Sequence, residues 1–334
     1  MKRSAAVVVL AALVAWPYVF DRPFFVHMGV MVALWVVLAL SMNLMLRIGQ
    51  LSFAHGAFMG LGAYASALAT MRLDVPFPVA FLSGGAVAAL AAGIVGPIFL
   101  RIRGVYFALL TFAFGEVVVL TFVEWVGVFG GSNGLFGIPR PDLIGYRLTT
   151  KPSLYLFALA FAVLAFAAVR AIYRSELGAV IGSLDENEML TRSVGIDAAR
   201  YRLAVFCTSA ALAGWGGAFY AHYLTFISPE AFGFWTSVNM VVINVLGGIA
   251  SPWGPVLGAL LLVPLPEFLR DARQYQVLLY GVLLMLFLLF LPDGLTGLAR
   301  RWWRRGSSGA RAAPAAAGRV AGAVTTAEDN GRAA

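Results

Sequence analysis

Apolar residues run on for about 16 to 24 positions at a time, which matches the roughly 20 helical residues needed to cross a hydrocarbon core about 30 Å thick. Such runs fall near residues 5–20, 26–46, 52–71, 77–99, 105–126, 152–172, 203–224, 234–250, 254–269 and 274–291. Stretches such as Leu154–Val169 and Val277–Leu291 offer no polar face, so a soluble domain cannot display them. Because the runs are continuous rather than alternating, a β-barrel is disfavoured as well. The pattern predicts an all-α polytopic membrane protein of about ten transmembrane or re-entrant helices. The opening MKRSAAVVVLAALVAWPYVF has the basic start of a signal peptide but no small-residue cleavage pattern, and it reads as a retained first span.

Composition agrees with that class, at 61% hydrophobic and 12% charged, and the placement of charge predicts orientation. With the first span starting inside, 17 of the 24 Lys and Arg residues fall on inner segments or the tail and 7 on outer ones. This excess predicts both termini in the cytoplasm. It also gives the net charge of +8 a source that needs no nucleic acid. The one cysteine, Cys207, lies in an apolar run, so neither an intrachain disulfide nor a thiolate metal site is expected.

The division expected is a transmembrane domain over 1–305 and a disordered cytoplasmic tail over 306–334, which is Ala-, Gly- and Arg-rich. Just before the tail, RRWWRR suits an interfacial anchor. The outer loop 127–151 contains GGSNGLFGIPRPD, whose residues favour turns over a regular element. The cytoplasmic loop 174–202 holds a polar island, SLDENEMLTRSVGIDAARYR. Ser183 and Glu186 have capping-box spacing, Arg192 suits a last turn, and Gly195 suits the left-handed position that ends a helix. They predict a short helix over Leu184–Val194, with Leu190 and Val194 as its apolar face; a solvated loop with an incidental capping pattern is the competing reading.

Polar groups inside spans are the candidates for a translocation path. Glu116 sits mid-span and is expected to point inward, as a pathway residue or as a carboxyl bonded between helices. Asn43, His55, Asn239 and Asn244 are weaker candidates for which a structural hydrogen bond is the stronger reading. His222 and Glu230 read as interfacial residues at the outer end of their span, and Asn133 is an outer-loop contact candidate. Small-residue stripes at Gly56/Gly60, Ala210/Gly214/Ala218 and Gly254/Gly258 predict close helix packing. Two segments, Gly49–Leu68 and Gly247–Leu262, are interrupted by Gly or Ser-Pro and could be broken helices flanking a pathway, or simply short spans. Lys2 and Lys151 are the only lysines and neither follows a Gly, so the chain has no Walker A loop. It also lacks H-E-x-x-H and G-x-S-x-G, and a membrane enzyme is disfavoured.

The blocks GQLSFAHGAFMGLGAYASAL, RGVYFALLTFAFGE, GGSNGLFGIP, ENEMLTRSVGIDAARYRLAVFCTSAALAGWGGAFYA, VLGGIASPWGPVLGALLL and LPDGLTGL occur in that order across Leu40–Leu298. This arrangement resembles the membrane permeases of branched-chain amino acid ABC importers, and the GGSNGL loop resembles the larger of the two permease types. The resemblance implies a transport subunit without catalysis of its own, in an inner (plasma) membrane, carrying leucine, isoleucine or valine. It also implies a second permease subunit, ABC ATPase subunits that bind ATP and Mg, and a solute-binding protein. In that family a cytoplasmic E-x-x-x-x-x-x-G element docks on the ATPase, and Glu188 and Gly195 stand where it would be. The chain departs from the family's usual pattern at Ala179, Gly182, Asp185, Leu190 and Thr191. Related permeases carry urea or short amides, which stays an alternative, as does a self-contained secondary transporter or channel.

Overall fold

A computed structural model describes residues 11–18, 22–143, 146–148, 150–186, 195–291 and 294–298. Two compact units divide the chain, Met1–Gly297 and Leu298–Ala334, and all of the second except Leu298 lies outside the described residues. The first unit is built from helices. After a helical stretch at 11–18 (α1) come α2 Pro23–Leu46, α3 His55–Arg72, α4 Phe77–Phe99, α5 Val105–Glu124, α6 Val126–Phe129, α7 Lys151–Arg174 and α8 Glu176–Glu186. Then follow α9 Ala198–Leu224, α10 Phe234–Gly247, α11 Trp253–Leu262, α12 Leu265–Phe268 and α13 Gln276–Phe290. Among the described residues α2, α4, α5, α7 and α9 are long and apolar enough to cross a membrane. The chain is an all-α polytopic membrane protein in its main elements.

Local chemistry explains several boundaries. α2, α4 and α7 carry Pro in their first turn, where the missing N–H costs no intrahelical bond. Thr150 accepts from the Ser153 amide to cap α7, and Asp197 accepts from the amides of Ala199 and Arg200 to cap α9. α10 and α11 have 14 and 10 residues, about 21 and 15 Å of helix, so each is shorter than the hydrocarbon thickness. The link between them, 248–252, is a true interruption, as is 47–54 before α3. The connection 225–233 between α9 and α10 falls where the expected spans 203–224 and 234–250 leave a gap.

α9 is the central helix, packed against α4, α3 and α2. Small residues make that possible. A Cβ on Gly214 would stand 2.6 Å from the Ala88 methyl and 2.7 Å from the Gly84 carbonyl oxygen, and one on Gly217 would collide with the Met59 carbonyl. The three sequence stripes therefore mark close packing: Gly56 against the Phe232 and Gly233 carbonyls, Gly60 against the Phe122 and Phe232 side chains, Gly214 against α4, and Gly258 against the Ile243 backbone of α10.

Three sequence expectations need correction. The outer loop holds short strands: β1 Leu135–Phe136 pairs antiparallel with β4 Phe226–Ile227, and β2 Asp142–Leu143 with β3 Tyr146–Arg147. For β1, long-range pairing to the chain after α9 supplies the backbone partners that local propensity could not, while β2 and β3 pair locally. His222 is fully buried rather than interfacial, with Nε2 2.9 Å from Ser66 Oγ and Nδ1 2.7 Å from the Pro139 carbonyl, so it ties α3 and the outer loop to α9. Glu230 is exposed. Finally, Ser183 does not begin a helix: it lies inside α8, where its hydroxyl donates to the Val180 carbonyl at 2.9 Å. A hydroxyl bonded back to the preceding turn is a common alternative to capping when the helix has already started upstream.

Candidate translocation and coupling sites

Residues 187–194, with Glu188, Leu190, Arg192 and Val194, lie outside the described residues, as does the side chain of Glu186. What precedes and follows them is defined. α8 follows α7 after Ser175, and its Val180 packs with Ala198, Ile196 and Tyr201 at the start of α9. Gly195 has φ +83°, in the left-handed region, and a Cβ there would meet nothing within 4 Å. Its side-chain-free position is therefore a matter of backbone conformation, not of space. α8 itself is legible in Leu177, Val180 and Ile181, apolar at helical spacing, although the capping spacing of Ser183 and Glu186 within it signals a later start.

Two of the path candidates are used up by structure. Asn43 and Asn244 are both fully buried. Asn43 Nδ2 donates to Asn244 Oδ1 at 2.9 Å and to the Ile249 carbonyl at 3.2 Å, while its Oδ1 accepts from the Tyr173 hydroxyl at 2.7 Å. Asn244 Nδ2 donates to the carbonyls of Ala39 and Met240, both at 2.8 Å. Each amide nitrogen has two N–H groups, and both are committed. Arg47 extends the cluster: its guanidinium donates to the Ala250 carbonyl at 3.0 Å and lies 5.2 Å from the centre of the Tyr173 ring. The group joins α2, α7 and α10 to the 248–252 interruption. Tyr173 and Arg47 were not singled out from the sequence, because nothing local signals a partner some 130 to 200 positions away.

His55 opens α3 and is buried, with Nδ1 3.2 Å from Ser52 Oγ. The chain around it is held from two sides. Ser237 Oγ of α10 accepts from the Gly56 amide at 2.8 Å and donates to the Phe53 carbonyl at 2.7 Å, while Thr111 Oγ1 of α5 accepts from the Phe53 amide at 3.0 Å. The start of α3 is thus clamped to the second turn of α5 and the first turn of α10. Ser237 and Thr111, plain Ser and Thr in apolar helices, gave no sequence signal beyond their type.

Glu116 and Asn239 behave differently. Both are exposed, Glu116 on α5 and Asn239 on α10. The expectation that Glu116 points into the fold is overturned: the buried side of α5 is taken by Phe107, Ala108, Thr111, Gly115, Val118 and Phe122, and Glu116 falls on the opposite side. At mid-span an acidic side chain facing hydrocarbon costs roughly 3 kcal/mol on insertion scales. α5 and α10 are neighbours, joined by the edge-to-face pair Phe112–Phe234 at 5.1 Å. A cavity of about 610 Å³ opens beside that pair, walled by Leu51, Phe53, Leu109 and the backbone of Gly49 and Gly104. In the 127–151 segment, Asn133 is exposed at the end of a tight turn, Gly131–Asn133, just before β1.

Residues 25–291, almost all of the described helices, match the family described as branched-chain amino acid transport system, permease component. The chain belongs to that permease family. It is similar to the high-affinity branched-chain amino acid transport system permease protein LivM of Escherichia coli (strain K12), at 33% identity over 88% of this chain and 75% of the relative. It is also similar to the corresponding protein LivH of the same organism, at 26% identity over 75% of this chain and 86% of that one. A probable permease LivM from Methanocaldococcus jannaschii is 25% identical over 60% of this chain and 64% of the relative. No solved structure matches.

For the permease, the structure sorts the candidate residues by what remains free. Asn43 and Asn244 are internal braces beside a helix interruption, whereas His55 bonds the nearby Ser52 and its buried Nε2 has no hydrogen-bond partner among the described residues. Glu116 and Asn239 are exposed, and their side chains have no hydrogen-bond partner among the described residues. Gly195 and α8 flank residues 187–194, which carry the residues expected to dock and lie outside the described residues.

Proposed function

We propose that the permease is the larger membrane subunit of an ATP-driven importer that moves branched-chain amino acids across an inner membrane. The observation that carries this reading is the family match over residues 25–291, since it spans the helical unit from the second predicted span to the last. In this reading the chain crosses the membrane about ten times, counting short helices such as α10 and α11, with both termini in the cytoplasm. The 17-to-7 distribution of basic residues supports the orientation. A second permease, ABC ATPase subunits holding ATP and Mg, and a solute-binding protein complete the assembly; the names of LivM and LivH relatives as transport-system permeases support a partner of the same kind. The loop through Glu188 to Gly195 transmits motion from the ATPase, and Asn133 belongs to the surface that meets the binding protein. The substrate is set mainly by that binding protein, because the spans offer few charged groups to clamp a zwitterion.

Uptake of labelled leucine by cells carrying the whole operon tests this. Competition by unlabelled leucine, isoleucine and valine is expected. Competition by urea and not by leucine would replace the amino acid with an amide, and uptake persisting without the ATPase genes would favour a self-contained transporter.

A further inference from the structure

Polar groups exposed in the middle of an apolar helix say what must cover that helix. The exposed side of α5 carries Leu109, Ala113, Glu116, Val117 and Leu120, one stripe along a 3.6-residue repeat. Glu116 lies about 17 Å from the start of a helix of 20 residues, close to its centre, too deep for a glutamate side chain to reach either headgroup layer. Among the described residues no hydrogen bond or ion pair reaches it. Asn239 stands exposed on the adjoining helix α10, beside Trp235. The exposed side of α4 is the contrast: Val79, Leu82, Leu90, Ile94 and Ile98, without a polar side chain. Lipid can cover α4 but not the α5–α10 face at the depth of Glu116.

The importer's ATPase and binding protein work outside the hydrocarbon layer, so only a membrane-embedded chain can cover Glu116. We infer that the α5–α10 face is the seat of the second permease subunit, with Glu116 and Asn239 lining a wetted seam between the two chains. This inference names the partner surface within the importer reading above and rests on it. The cavity beside Phe112 and Phe234 opens on the same face, so a partner laid there leaves a hollow at the seam rather than a dry contact. The family relationship supplies a partner of matching build, since LivM and LivH are both similar to this chain.

The test uses the complex from cells expressing the whole operon, with Cys207→Ser. Co-purification of the second permease is read first; its absence removes the importer reading and this interface with it. With the complex in hand, the photo-reactive residue p-benzoylphenylalanine is placed at Leu109, Ala113 or Leu120 on α5, and at Leu90 or Ile94 on α4, and native membranes are irradiated. Adducts with the second permease are expected from α5 and not from α4. The reverse pattern, or no adduct from α5, overturns the seat while leaving the importer intact, and adducts between two copies of this chain overturn the choice of occupant. The seam is read separately with Glu116→Cys and Asn239→Cys against Leu90→Cys. A hydrophilic methanethiosulfonate should label the first two and not the third. Either of the first two suffices if the other fails to assemble, and loss of labelling at both overturns the wetted seam.

Discussion

Replacing Asn43 by Leu should destabilise the permease through its hydrogen bonds, and a double-mutant cycle with Asn244 can show it. Leucine is close to asparagine in size, so packing changes little. Asn43→Leu removes three bonds, to Asn244, Ile249 and Tyr173. Interhelical hydrogen bonds in membrane proteins average about 0.6 kcal/mol, so the loss is about 2 kcal/mol, and the buried Asn244 Oδ1 is left without its donor. Asn244→Leu also removes three bonds, to Asn43, Ala39 and Met240, for a similar cost. One bond is shared, and the double variant orphans neither amide of the pair. The double variant should therefore fall short of the sum of the singles by about 1 kcal/mol. Reversible unfolding in SDS gives the four free energies, with Tyr173→Phe as a single-bond control expected to cost about 0.6 kcal/mol. Additivity within about 0.4 kcal/mol would refute the pairing and with it the brace between α2 and α10.

Gly195→Val should cost on the order of 1 kcal/mol from backbone strain alone, because φ is +83° and the space is empty, and should lower ATPase co-purification; Gly195→Asn, which tolerates that region, should be milder. Ser183→Ala should be close to neutral in the same pull-down, since its hydroxyl bonds the Val180 carbonyl and caps nothing. Gly217→Ala should lower the midpoint of thermal unfolding in detergent, at a cost of about 1–3 kcal/mol, because its methyl would enter the Met59 carbonyl, and an unchanged midpoint would refute the close α3–α9 contact. In a Cys207→Ser background, single cysteines at Ser132, Ser175 and Ser308 should label from outside at Ser132 alone in sealed cells; outside labelling at Ser175 or Ser308 would overturn the orientation.

Element type and approximate position were legible in the chain because hydrophobic length is a one-dimensional property. The runs at 77–99 and 152–172 reappear as α4 and α7 within two residues at either end, and the Gly and Ala stripes announced close packing. The left-handed position of Gly195 was likewise a local matter, decided by the absence of a Cβ. Which side of a helix faces its own chain was not legible. Glu116 and Asn239 look like Asn43 and Asn244 in sequence, polar residues set in apolar helices, and a helix that is apolar all round carries no stripe from which to read its inner face. Only the packing of α5 and α10 against the start of α3 turned the first pair outward, and only the meeting of α2, α7 and α10 gave the second pair partners. Tyr173, Arg47 and Ser237 acquired roles in the same way, because a hydrogen bond across 130 or more positions exists only once tertiary contacts have brought its two ends together.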